Sequence, residues 1–182
     1  MKPKILFVVA HPHLEKSRAN RAVVESVRGL EGVTVHRIYD HYPYFHIDVE
    51  HEQKLLLEHD VIVFQHPFYW YNMPALLKLW LDDVLESGFA YGPGGDKLRG
   101  KKFLLSLTVG GPQSSYCEES YNNCSVESLL GPWKQTVSLC QMEWLEPIVV
   151  YGSIAAELSA LHAHGMRVRE TLERHLEHGA HA

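Results

Sequence analysis

Hydrophobic positions in this chain come in unbroken blocks instead of alternating with polar ones. Apolar runs of strand length occur at 5–10 (ILFVVA), 61–64 (VIVF), 102–109 (KFLLSLTV) and 147–151 (PIVVY), with a further strand at 33–39. Runs of this kind predict strands buried on both faces, as in a parallel sheet covered by helices. Helical spacing fills the gaps. Ser17 fits an N-cap, and Val23, Val27 and Leu30 line the face of the helix that follows. A short helix is expected over 50–58, and another from Pro74 to near Glu86. Helical pattern resumes near Val126, is interrupted by Gly131-Pro132, and returns in a last helix marked by Leu158, Leu161, Val168, Leu172 and Leu176.

The order β-α-β-α-β-α-β-α-β predicts an α/β fold with helices on both faces of a parallel sheet. Five strands suggest the flavodoxin-like, doubly wound order 2-1-3-4-5, in one domain spanning 1–182. The topological switch point then lies between the first and third strands. A ligand is expected there, beside 11–20 and 66–71.

The helix from Pro74 is more apolar than a sheet-covering helix requires. Lys78, Asp82, Asp83 and Glu86 form a narrow polar stripe, and leucines, Trp80 and Val84 cover the rest. A homodimer contact or deep burial within one chain would each use the surplus.

Composition is that of an ordinary globular protein, 46% hydrophobic and 21% charged. A net charge of −5 carries no electrostatic footprint for nucleic acid. The three cysteines (Cys117, Cys124, Cys140) lack C-x-x-C spacing and read as reduced thiols. The apolar run after Lys2 and Lys4 ends at Ala10, too short for a signal peptide, and no stretch approaches a membrane span. A soluble, cytoplasmic protein is expected. His175 and His178, near the chain end, read as a solvated tail and not a metal site.

Candidate chemistry concentrates in three places. His11-Pro12-His13-Leu14-Glu15-Lys16-Ser17-Arg18-Ala19-Asn20 joins the first strand to the first helix, whose amino end suits a phosphate; the same residues also fit a plain capped helix. Neither G-x-G-x-x-G nor a glycine-rich phosphate loop is present. Phe68, Tyr69, Trp70 and Tyr71 cannot all point inward, so some of them must wall a cleft or an interface; flat ligands such as a flavin or quinone pack on such walls. Thr108-Val109-Gly110-Gly111 ends the fourth strand with small residues that let a ligand approach the backbone, although an ordinary turn has the same composition. Gly95–Lys101 has P-loop spacing, but Lys102 follows it and it leads into a strand.

Taken together, AHPHLEKSRAN, QHPFYWYNMPALLKLWLDDVLESGFAYG and LTVGG resemble the flavodoxin-like NAD(P)H:quinone oxidoreductases. That family includes DT-diaphorase, the modulator-of-drug-activity reductases and the ancillary subunits of Kef potassium-efflux systems. HYPYFHID and PALLKLWLD are most similar to the Kef subgroup. The resemblance implies a homodimer that binds FMN (FAD in some relatives) and carries hydride from NAD(P)H to a quinone. It also implies, as a different role, a regulatory subunit on a membrane antiporter at the inner face of the cell membrane. By motif position, His11, Ser17, Arg18, Ala19 and Asn20 would hold the phosphate and ribityl chain. Phe68, Tyr69, Trp70 and Tyr71 would flank the ring, and Thr108, Val109, Gly110 and Gly111 would meet its polar edge. Tyr116 falls where DT-diaphorase has a tyrosine that hydrogen-bonds the reduced ring, and the histidine completing that pair falls at Asn122.

Overall fold

The apolar blocks do form a sheet, and in the computed structural model, which describes residues 2–178, its strands are parallel. β1 (Ile5–Val9) is followed by α1 (Arg18–Val27), β2 (Val33–Arg37), the short α2 (Ile38–His41) and α3 (Val49–Glu58). Then come β3 (Val61–Pro67), α4 (Ala75–Val84) and β4 (Lys102–Thr108). The chain continues through α5 (Val126–Leu129) and α6 (Gly131–Leu139) to β5 (Glu143–Trp144), β6 (Ile148–Val150) and α7 (Leu158–His178). Strand order is β2-β1-β3-β4-β5, with β6 also paired to β4. The expected order 2-1-3-4-5 therefore holds, with the fifth position shared by two short strands.

That division has a local cause. Phe103 faces Trp144, whereas Ser106 faces Ile148, so residues 104–105 of β4 stand opposite the three residues 145–147. One extra residue in an edge strand makes a β-bulge. Pro147 lies within it and has no N–H to donate to a ladder.

Other boundaries differ from the apolar pattern in small ways. The second strand ends at Arg37, because Ile38 and Tyr39 turn into α2, where Ile38 is buried in the core. Pro74 caps α4 from outside instead of starting it. Residues 175 and 178, read as a tail, belong to α7; the chain end beyond 178 lies outside the described residues.

The two sheet faces carry separate cores. Ile5, Phe7, Val9, Val61 and Val63 face α1 and α7, where Val23, Val27, Val168 and Leu172 are buried. α1 and α7 approach closely at Gly165, where a Cβ would come within 2.9 Å of the Ala22 carbonyl oxygen and 3.0 Å of Ser26 Oγ. The opposite face carries Leu6, Val8, Ile62, Phe64 and Phe103 against α4 and α6. Leu76, Leu77, Trp80 and Val84 of α4 are fully buried there. Leu79, Leu81 and Leu85 pack on the rim of that core, so the chain itself covers much of the surplus apolar surface.

Beneath α4 lies a buried polar node. Glu52 is fully buried; its Oε1 accepts from Tyr42 Oη at 2.5 Å and lies 2.7 Å from His36 Nε2, and its Oε2 accepts from Trp80 Nε1 at 2.7 Å. Burial pushes this carboxyl upward, but His36 (by hydrogen bond and by charge), Tyr42 and Trp80 together hold it below the ordinary carboxylate range. The ionised Glu52 fastens β2, the end of α2, α3 and α4 to one another.

Candidate functional site

The carboxyl ends of β1, β3 and β4 open into a cleft of ≈ 660 Å³, at the switch point where the strand order reverses. His11, Ser17, Arg18, Ala19 and Asn20 line one side of it. Phe68, Tyr69 and Trp70 line another, and Thr108 and Gly110 lie at the end of β4. Ten of the motif residues named from the sequence thus converge on one space. Three others do not reach it. Val109 is fully buried, and its N–H donates to the Val150 carbonyl oxygen at 2.8 Å. Gly111 lies against Ser115 and Tyr116, and Tyr71 faces a neighbouring depression with Tyr121, Asn122 and Cys124. Tyr116 stands behind Gly111, with its ring 5.9 Å from Tyr151; burial, then Tyr71, Cys124 and Tyr151, push its phenol upward, so it is a neutral donor.

Hydrogen bonding at the amino end of α1 gives each side chain a defined role. Ser17 Oγ accepts from the Asn20 backbone N–H at 3.2 Å and from Asn20 Nδ2 at 3.1 Å. With both lone pairs engaged, its own O–H is left to donate. Asn20 Nδ2 also donates to Thr108 Oγ1 at 2.9 Å, and its Oδ1 accepts from the buried Gln65 Nε2 at 2.7 Å. Asn20 therefore binds its neighbours and orients the two hydroxyls. The N–H groups of Arg18 and Ala19 precede the first intrahelical bond and complete an anion-binding helix terminus.

His11 Nδ1 accepts from the His13 N–H at 3.0 Å, which places the ring proton on Nε2. Burial, then the nearby His13, lower its pKa, so the ring is a neutral donor; the Tyr69 hydroxyl lies 3.5 Å from Nε2. His66, by contrast, points into the other core. It stacks on Trp133 at 5.8 Å, and burial drives its pKa to about 4.

The aromatic segment is a strained turn. The Asn72 N–H donates to the Tyr69 carbonyl oxygen at 2.9 Å, and the two central residues, Trp70 and Tyr71, have φ of 49° and 63°. Positive φ at both centres is the pattern that Asn-Gly normally fills. Each left-handed non-glycine residue costs roughly 1–2 kcal/mol, yet this turn holds its indole 92% exposed at the cleft mouth.

Sequence reading missed the loop after β6. Ser153 and Ile154 line the cleft, and a Cβ on Gly110 would come within 2.9 Å of Ile154 Cδ1. Arg18 Nη2 donates to the Ala156 carbonyl oxygen at 3.0 Å and ties that loop to α1. The rule that ligands sit beyond the carboxyl ends of strands covers the last strand as well as the first three. Lys16 and Pro67 complete the lining. Gln65 was hidden by its place within an apolar strand.

A doubly wound parallel sheet with an aromatic-walled cleft at its switch point is the architecture of the flavodoxin-like fold. The chain belongs to that family: residues 3–172 match Flavodoxin_2, described as a flavodoxin-like fold. The glutathione-regulated potassium-efflux system ancillary protein KefG of Serratia proteamaculans (strain 568) is 46% identical over 177 residues, 97% of each chain. General stress protein 14 of Treponema denticola, solved in complex with FMN, is 36% identical with a TM-score of 0.90, covering 95% of this chain and 99% of that one. An NADPH-quinone reductase from P. pentosaceus is 27% identical with a TM-score of 0.84, covering 92% and 96%. Among the described residues no helix is long and apolar enough to cross a membrane.

Proposed function

We propose that the chain is an FMN-dependent NAD(P)H:quinone oxidoreductase, acting as one domain and as a homodimer. The observation that carries this reading is the convergence, in one ≈ 660 Å³ cleft, of a helix amino terminus, an aromatic turn and the small residues ending β4. The residues present fit the cofactor. The Arg18 and Ala19 amides, the Ser17 hydroxyl and the His11 Nε2–H form a donor set suited to a phosphate. Trp70 and Tyr69 present flat faces to a planar ring, and Gly110 lets its edge approach. When bound, FMN supplies two-electron hydride chemistry.

The protein's part is placement. Gln65 and Asn20 hold the Ser17 and Thr108 hydroxyls in fixed orientation, so their donors need no rearrangement when an anion arrives. Trp70 and Ile154 stand exposed at the cleft mouth, and nicotinamide and quinone would use that open side in turn. Tyr116, a neutral donor beside the cleft behind Gly111, is the side chain we assign, on its position by motif, to assist charge at the ring. Asn122 does not stand in for the family histidine as a proton carrier, because an amide has no titrating proton. Its Oδ1 instead accepts from Tyr71 Oη at 3.0 Å, and its Nδ2 donates to the Ser115 carbonyl oxygen at 2.6 Å.

The deciding experiment is purification, a flavin absorbance spectrum and NAD(P)H consumption with menadione. A colourless protein that takes up no added FMN and oxidises no NAD(P)H would end this reading. A second reading, ancillary subunit of a potassium-efflux antiporter, is favoured by the 46% identity to KefG across 97% of the chain. Aromatic surface outside the cleft, at Tyr44 and Tyr121, offers contact area for such a partner. Failure to co-purify with a co-expressed Kef-type potassium/proton antiporter would count against that role.

A further inference from the structure

A second cleft of ≈ 640 Å³ lies between the bulged edge of the sheet and α7, and the flavin reading does not use it. Lys102, at the start of β4, lines it, whereas the flavin cleft takes Thr108 and Gly110 at that strand's other end. At strand rise the two positions on β4 are about 20 Å apart. The bulge makes the space: after the Leu145 N–H donates to the Phe103 carbonyl oxygen at 2.8 Å, Glu146 and Pro147 depart from the β4 ladder. Half-buried Leu145, Pro147 and Val149 form an apolar floor over the buried Leu104 and Ile148.

Its walls are cationic. Arg167, Thr171 and Arg174 repeat at helical spacing on one face of α7, and Lys102 faces them from the sheet; Glu146 is the single carboxylate in the lining. In a chain of net charge −5, three permanent cations around one concavity depart from the average surface. The guanidinium groups are also oriented. Arg167 Nη2 donates to the Val149 carbonyl oxygen at 2.8 Å and lies 3.1 Å from His164 Nδ1, while Arg174 Nη2 donates to Thr171 Oγ1 at 3.0 Å. Held arginine forks recognise phosphate by paired hydrogen bonds, a lysine adds a point charge, and an apolar floor accepts a planar body.

We propose that this cleft is a second ligand site, and that it takes a nucleoside di- or triphosphate. Its volume falls within the roughly 300–1,000 Å³ of small-molecule sites. A concavity of this volume with charge on its walls and apolar surface on its floor suits a compact amphipathic anion better than an extended acidic chain.

The test is calorimetric titration of the FMN-saturated full chain with ATP, ADP and inorganic tripolyphosphate at low salt. ATP is expected to saturate one site per chain and to bind more tightly than tripolyphosphate. Lys102→Gln and Arg174→Gln are each expected to weaken ATP about tenfold, the size of one charge-assisted hydrogen bond. Glu146→Gln should tighten it, and FMN affinity should stay unchanged in all three. Absence of saturable ATP binding, or ATP affinity untouched by both cation variants, would overturn the proposal. So would displacement of ATP by excess FMN, equal affinity for ATP and tripolyphosphate, or binding of poly-glutamate in place of ATP. The titration reads the same on a chain that takes no FMN, so its failure is separable from failure of the flavin reading.

Discussion

Two buried polar clusters hold this protein together, and they are built from opposite materials. Under α4 the centre is an ionised carboxylate: Glu52 gathers Tyr42, Trp80 and His36 in an otherwise apolar core. Under the switch-point cleft the centre is a neutral amide: Asn20 joins Gln65, Ser17 and Thr108. A buried charge is costly unless every partner is present, so the first cluster is all-or-none and titrates with pH. An amide network lacks that cost and that titration, and it can aim hydroxyls at a ligand without placing a fixed negative charge beside an incoming phosphate. One cluster serves stability; the other serves binding on the proposed function.

Removing the charge centre is the largest perturbation expected. Glu52→Ala leaves three buried donors without their acceptor and should lower unfolding free energy by about 3–5 kcal/mol in urea titrations. The refolded fraction should still bind FMN normally. Asn20→Ala should cost less, about 2 kcal/mol, but weaken FMN about tenfold by fluorescence titration, because two hydroxyls lose their orientation. If Glu52→Ala weakened FMN more than Asn20→Ala, the division of labour would be wrong.

Acid separates the clusters by mechanism. His66 and His164 are both held near pKa 4 by burial, against 6.5 when unfolded. The unfolded chain therefore binds more protons between those values, and stability falls as pH drops from about 6.5 to about 4. Glu52 is depressed, so its contribution is present above the ordinary carboxylate value of 4.5 and is lost as pH falls through its lower folded value. Glu52→Gln should flatten only that lower limb, and His66→Phe should reduce only the upper one, leaving the share of His164. Asn20→Ala should leave the shape of the pH curve unchanged.

The smallest effect is expected at the strained turn. Replacing Trp70-Tyr71 by Asn-Gly relieves two left-handed aromatic residues and should stabilise the flavin-free chain by about 1 kcal/mol in thermal melts. The same change should weaken FMN, because the indole at the cleft mouth is removed. A variant that gained stability and kept full flavin affinity would remove the reason for the strain.

Much of this was legible in the chain itself. Unbroken apolar runs separated by helical periods define a parallel α/β sheet, because strands buried on both faces have no polar alternation to show. The amino end of α1 was legible through Ser17, because a cap is a local interaction over three residues. Other features depend on contacts between residues distant in sequence. Nothing in 61–67 distinguishes Gln65, which turns toward Asn20, from His66, which turns into the Trp133 core; only strand register sets the face. Tyr116 and Tyr71 are adjacent to the site by motif, yet they stand beside the cleft because the chain bends at Gly111 and at the turn.

Sequence alone thus determined the fold class, the switch point and ten of the cleft's lining residues, since each rests on local pattern or fixed topology. Only the tertiary structure decided that Glu52 would be a buried anion, that Ser153 and Ile154 would join the cleft, and that one extra residue near Pro147 would open a second cleft beside α7. Those outcomes belong to packing across the sheet, where partners lie tens of residues apart and no local period records them.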